Sequence, residues 1–131
     1  MARRPSAQPT DGELEILNVL WTLGPSELRD VTSALNQQRQ VAPTTVATML
    51  GVMLSKGLVK RSQGRRGYRW SAKVSQKTAA SGMLGRLVDR VFEGSTRRLV
   101  AHLLEEQQLS ARDCEEIRRM IDSYVGQQQT G

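Results

Sequence analysis

Apolar residues recur along this chain at helical spacing for most of its length, and the period drops to two in a single stretch. Leu14, Leu17, Leu20 and Trp21 share one helical face, widened by Ile16 and Val19. Thr10, followed three residues later by Glu13, predicts a capping box at the start, and Gly24-Pro25 predicts the stop. A second helix is expected from Ser26, with Leu28, Val31 and Leu35 on one face, fading in the polar run 36–40. Pro43 suits the first turn of a third helix. Its inward stripe is Val46, Met49, Leu50, Met53 and Leu54, and Gly57 is its C-cap.

The period then changes. Residues 58–62 read as a strand, 64–67 as a Gly-bounded turn, and 68–71 as the returning strand, with Tyr68 and Trp70 on one face and Arg69 on the other. From Val74 helical spacing returns through Ala80, Leu84, Leu87, Val88 and Val91. Gly94-Ser95 breaks this helix. Leu99, Val100, Leu103 and Leu104 mark the next, and Ile117, Met120, Ile121 and Tyr124 a last one behind a Ser110-to-Asp113 cap. The expected organisation is a disordered arm at 1–9, a domain of three helices and a hairpin at 10–73, a three-helix domain at 74–125 and a flexible tail at 126–131. The last three helices are too thin to bury all their apolar faces alone. Packing onto the first domain is one answer; a homodimer in which two subunits cover one another is the answer favoured here. Leu84, Leu87, Val88, Val91, Leu99, Leu103, Ile117 and Ile121 are its candidate dimerisation residues.

Helix three poses a question of its own. Its outer face is small and uncharged: Thr44, Thr45, Ala47, Thr48 and Gly51. Such a face contributes little to solubility. Charge distribution supplies a purpose. The 131 residues carry a net charge of +6, and all of the excess lies in residues 1–73. From Lys56 to Lys73, both included, there are seven basic residues and no acidic one. A second and third helix in tandem form a helix-turn-helix, whose second member enters the major groove of DNA. Small residues there let base edges approach. Threonine hydroxyls can bond bases or phosphates, and the methyls of Ala47 and Thr48 can touch thymine. The hairpin then serves as a wing, with Arg65 and Arg66 at its tip and Lys56, Lys60 and Arg69 on the phosphate backbone. The fold class expected is mainly α, an α+β winged helix-turn-helix followed by a helical dimerisation domain.

Other chemistry finds little support. His102, the single histidine, lies in a leucine-rich helical stretch with no catalytic partner at motif spacing, and the pairs Glu105-Glu106 and Glu115-Glu116 diverge around their helices. No phosphate-binding loop or dinucleotide motif is present. Cys114 is the lone cysteine, which excludes an internal disulfide or a paired-cysteine metal site and reads as a small buried thiol. No apolar run reaches the ~20 residues of a membrane helix. The expectation is a cytoplasmic protein with no cofactor, no metal and no small-molecule substrate, and not an enzyme.

The stretches TDGELEILNVLW (10–21), PTTVATML (43–50), KGLV (56–59) and GYRW (67–70), with FEGS (92–95) and the LVAHLL helix from 99, resemble the BlaI/MecI penicillinase-repressor family, which includes copper repressors of the CopY type. The resemblance spans about residues 10–124. It implies a homodimeric repressor on a palindromic double-stranded operator, with Pro43, Thr44, Thr45, Ala47 and Thr48 at the start of the recognition helix and Arg65 and Arg66 in the wing. It also implies relief by a membrane sensor metallopeptidase activated by a β-lactam, which cleaves the C-terminal domain. The family's Asn-Phe cleavage site is matched here by His102-Leu103. Family members often carry Lys or Arg on the exposed face of helix three, where this chain has Thr44, Ala47 and Val52. Metal-responsive members use paired cysteines, which this chain lacks. The alternatives are a regulator of the same fold released by another ligand, and a winged-helix protein-interaction module that does not touch DNA.

Overall fold

The computed structural model describes residues 8–106 and 108–130. The expected N-terminal arm therefore lies almost wholly outside the described residues. The chain divides within one helix, between Gly85 and Arg86, into two compact units.

In the first unit, α1 (Asp11–Leu23) starts with the expected reciprocal cap. The Glu13 N–H donates to Thr10 Oγ1 at 3.2 Å and the Thr10 N–H donates to Glu13 Oε1 at 3.0 Å. The buried face of α1 is turned from the expected one. Glu13, Ile16, Leu17 and Leu20 point inward, and Leu14 is only half-buried. A carboxylate can occupy an inward position because it is paired there. Lys56 Nζ, at the end of α3 (Pro43–Lys56), donates to Glu13 Oε1 at 2.8 Å and Oε2 at 3.0 Å.

The second correction is at Ser26. It does not open a helix. Ser26 and Glu27 form a short strand, β1 (Ser26–Glu27), and α2 (Leu28–Asn36) begins only afterwards. Ser26 pairs with Trp70 and Glu27 with Arg69, on the strand that forms the middle of the sheet. These ladder bonds outweigh the local preference of serine for an N-cap, and the Ser26 hydroxyl instead donates to the Gly24 carbonyl at 2.9 Å. After α2, Asn36 organises the polar turn. It donates to Thr32 O at 2.9 Å and accepts the Val41 N–H at 2.8 Å.

Helix α3 ends where expected, with Gly57 in the left-handed region at φ 80°. The hairpin follows as β2 (Val59–Gln63) and β3 (Tyr68–Ala72), giving an antiparallel sheet of order β1-β3-β2. Val59 stands opposite Ala72 and Arg61 opposite Trp70. Residues directly opposite share a face, so Val59, Arg61, Tyr68 and Trp70 lie on the side that packs toward the helices, while Lys60 and Arg69 lie on the other. Ile16, Leu17, Val31, Val46, Leu50, Met53, Val59 and Trp70 form one core with Leu20, Leu35 and Leu58. The Trp21 indole N–H donates to Val74 O at 3.0 Å and fixes the chain as it leaves the hairpin.

Helix α4 (Gln76–Val91) crosses the division between units. Its first turns belong with the first unit: Ala79 is buried and Gly82 faces the Gln8 side chain. The second unit holds the rest of α4, α5 (Thr96–Glu106) and α6 (Ala111–Thr130). Ser95 Oγ accepts the Arg98 N–H at 3.2 Å, and Ser110 Oγ accepts the Asp113 N–H at 3.0 Å as the expected cap. Residues after Val125, read as a flexible tail, continue α6 to Thr130. Glutamine is a good helix former, and Gly131 lies outside the described residues.

Most of the apolar residues on these helices are exposed in the single chain, among them Leu84, Leu87, Val91, Leu103, Ile117, Met120, Ile121 and Tyr124. Leu99 differs, being buried within the chain. Cys114, read as a buried thiol, is exposed: among the described residues no element covers that face of α6. Among the described residues, no helix is long and apolar enough to cross a membrane.

Candidate nucleic-acid interface

The site is built on α3. Its buried stripe of Val46, Leu50 and Met53 fixes the helix rotation, and this presents Pro43, Thr44, Thr45, Ala47, Thr48, Gly51 and Val52 to solvent together. Ala42 at the N-cap makes no side-chain hydrogen bond to the first turn. The first-turn N–H groups therefore need an outside acceptor, water or a phosphate. The threonine chemistry is narrower than the sequence suggests. Thr48 Oγ1 donates to the Thr44 carbonyl at 3.0 Å. Its hydroxyl hydrogen is occupied within the helix, so it presents a methyl group and an acceptor lone pair to any base.

The wing lies beside this face. A hollow of about 330 Å³ is lined by Ala47 of α3, Leu28 and Arg29 at the start of α2, Tyr68 and Trp70 of β3, Arg66 and Gly67 of the turn, and Glu27. Helix α3 and the hairpin turn thus border one depression, with Arg29 and Arg66 among its lining residues. Arg61 is stacked over the Tyr68 ring at 4.0 Å from its centroid, and Tyr68 meets Trp70 edge-on at 6.1 Å. A guanidinium held on an aromatic face is pre-oriented and only partly hydrated.

The expected residues sort into three groups. Arg65 and Arg66 sit at the exposed tip, in a turn closed by the Gly64 N–H donating to Gly67 O at 2.7 Å. Gly67, at φ 152°, adopts a conformation that favours glycine. Lys60 and Arg69 are exposed but lie on the opposite face of the hairpin from Arg61 and Tyr68. Lys56 is directed inward, onto the Glu13 carboxylate. Burial pushes the Glu13 carboxyl up, but the Lys56 hydrogen bond, the Thr10 N–H and the Lys56 charge together hold it below the ordinary glutamate value. Lys56 therefore joins the start of α1 to the end of α3.

Arg29 and Arg61 were not in the expected set. Arg61 was legible in principle: once Tyr68 and Trp70 share a face, the hairpin register places Arg61 with them. Arg29 depends on the late start of α2, which the sequence did not indicate. Among the described residues no group of three His, Cys, Asp or Glu side chains could hold a metal ion.

Residues 9–123 match the family model described as penicillinase repressor. Among individual proteins, the chain is 20% identical over 113 residues to the methicillin resistance regulatory protein MecI of Staphylococcus aureus strain N315, covering 86% of this chain and 92% of that protein. It is 22% identical to the penicillinase repressor of Bacillus licheniformis, covering 89% and 91%. It is 28% identical to the transcriptional regulator BlaI of Mycobacterium tuberculosis (strain CDC 1551 / Oshkosh), covering 84% and 81%. Among solved structures, the Bacillus licheniformis BlaI monomer in complex with the blaP half-operator aligns at TM-score 0.48 and 24% identity, covering 60% of this chain and 93% of that one.

Proposed function

The chain belongs to the penicillinase-repressor family, and from that premise we propose that it is a DNA-binding transcriptional repressor acting as a homodimer on a palindromic operator. Each subunit reads one half-site. The observation that carries this reading is the adjacency of two surfaces: the exposed uncharged face of α3 and an arginine-bearing wing, bordering one hollow through Ala47, Arg29 and Arg66. The division of labour follows from the chemistry. Thr44, Thr45, Ala47 and Thr48 approach base edges, and Arg65 and Arg66 supply phosphate contacts that carry affinity without sequence information. A repressor of this kind works in the cytoplasm. Its release by a membrane sensor metallopeptidase would cut near His102-Leu103. That bond lies inside α5, so cleavage requires the helix to open locally; a shortened chain in β-lactam-treated cells is the expected sign.

Salt titration of DNA binding tests the assignment. With Arg65 and Arg66 both replaced by alanine, the slope of log affinity against log salt is expected to fall by about one to two per subunit, with similar losses on operator and random DNA. An unchanged slope removes the wing from the interface. Thr48→Ala in the same titration is expected to leave the slope alone and weaken operator binding about fivefold per half-site, the cost of one lost base contact of about 1 kcal/mol in each subunit. Equal loss on random DNA would make Thr48 a positioning residue only.

A further inference from the structure

Glu27 occupies the N-cap position of α2 yet makes no side-chain bond to that helix. An acidic residue there would ordinarily accept first-turn N–H groups. Its carboxylate is used elsewhere. Glu27 Oε2 accepts the backbone N–H of Arg65 at 2.9 Å, across 38 residues of sequence, at the tip of the wing. The approach is close enough to restrict the neighbouring residue: a Cβ on Gly64 would lie 2.9 Å from Glu27 Oε2 and 2.9 Å from the Gly67 carbonyl. Glu27 is also tied from below, since β1 pairs it with Arg69 on β3. The carboxylate therefore bridges the start of the helix-turn-helix and the turn that carries Arg65 and Arg66.

We propose that Glu27 is a positioning residue for DNA binding: it latches the wing turn to the base of α2 and so sets where Arg65 and Arg66 stand relative to the recognition helix. The proposal rests on the reading of the wing as a phosphate-binding element. A two-stranded hairpin extending from a domain has few contacts at its tip, and its turn would otherwise sample many conformations. Holding the turn from the helix-turn-helix side restricts those conformations before DNA arrives, which lowers the ordering cost on binding. The latch also explains why an acidic residue sits in so basic a neighbourhood. It acts through a backbone amide, so it fixes the turn while leaving the guanidinium groups of Arg65 and Arg66 for the ligand.

Two substitutions separate the hydrogen bond from the charge. Glu27→Ala removes both; Glu27→Gln removes the charge and keeps an oxygen acceptor of the same reach. In the DNA-free protein, exchange of the Arg65 amide with solvent, followed by nitrogen-15 NMR, is expected to speed up about fivefold in Glu27→Ala and to stay near wild type in Glu27→Gln, the effect of one hydrogen bond of ordinary strength. The amides of Leu50 and Met53 in α3 report whether the domain itself is intact and are expected to be unchanged. In operator binding, the salt slope of Glu27→Ala is expected to become shallower by about one per subunit, toward that of the Arg65/Arg66 double alanine variant, while Glu27→Gln keeps the wild-type slope. Equal Arg65 exchange in wild type and Glu27→Ala would overturn the latch. Faster exchange with an unaltered slope, where the double alanine variant is shallower, would overturn the role of Glu27 alone. An unaltered slope in the double alanine variant would instead overturn the wing's place on DNA, and with it the purpose of the latch.

Discussion

Ile121→Glu is expected to leave the chain folded, to convert it to a monomer at micromolar concentration, and to weaken binding to a two-half-site operator by about a hundredfold or more. The second unit supplies the reason. Ile117, Met120, Ile121 and Tyr124 recur on one face of α6, and Ile121 is 53% and Tyr124 62% exposed in the single chain. Leu87 and Val91 on α4 and Leu103 on α5 are similarly open. Covering a fully exposed aliphatic side chain stabilises by about 1.5–3 kcal/mol; these are already about half covered, so each would add about 1 kcal/mol, and a second copy brings the same set from its own side. A carboxylate at 121 faces water in the monomer and costs little there. In the dimer it would be buried without a partner, which the interface cannot offset. Sedimentation and gel shift with full and half operators check both halves. A monomer should bind the half operator as well as the wild type does and lose only the gain from linking two half-sites. A dimeric Ile121→Glu variant with wild-type affinity would move the dimer interface elsewhere. Leu99, expected in the interface, serves as the contrast: it is 8% exposed within its own chain, so Leu99→Ala should lower stability before it alters association.

The contrast between Leu99 and Ile121 marks where sequence periodicity stops being informative. Helical spacing identified apolar faces on α4, α5 and α6, but period alone cannot say whether a face is covered by its own chain or by another. The same limit explains Cys114, which is small enough to suit a core and stands on an exposed face. Local signals with a one-turn range were read correctly: the Thr10–Glu13 box, Pro43 at the first turn of α3 and the left-handed Gly57. Signals that depend on distant pairing were not. Ser26 resembles an N-cap until β3 arrives from 44 residues away to pair with it. Lys56 looks like one more member of a basic run until Glu13, 43 residues earlier in the chain, is placed beside it. The candidate interface shows the same division. The exposed face of α3 follows from its own buried stripe, whereas the places of Arg29, Arg61 and Glu27 follow from the register of the sheet.

Lys56→Met is expected to destabilise the first unit by about 2 kcal/mol at neutral pH without changing the salt dependence of DNA binding. Methionine keeps the length and most of the apolar stem, so the loss isolates the ammonium. Glu13 is 5% exposed, and removing its partner leaves a buried carboxylate held by the Thr10 cap alone. Losing one partner of a fully buried pair costs about 3–5 kcal/mol; Lys56 is 33% exposed, so water reaches the pair and the cost is smaller. The reciprocal change should be milder, because in Glu13→Gln the lysine can extend to solvent and the amide oxygen can still accept the Thr10 N–H. The pH dependence has a definite sign. In wild type the folded Glu13 carboxyl titrates below its unfolded value of about 4.3, so the pair's contribution is full above that value and is lost as pH falls through the folded pKa. In Lys56→Met, burial is no longer outweighed, and protonation of Glu13 relieves the folded state instead. The deficit of the variant should therefore be largest near pH 7, shrink as falling pH protonates Glu13 in the variant, and be smallest at a pH below the lowered wild-type value, where both proteins carry a neutral Glu13. Urea denaturation at the two pH values measures it. A deficit independent of pH would mean that Lys56 stabilises through its stem, and a shallower salt slope for operator binding would return its charge to the DNA interface.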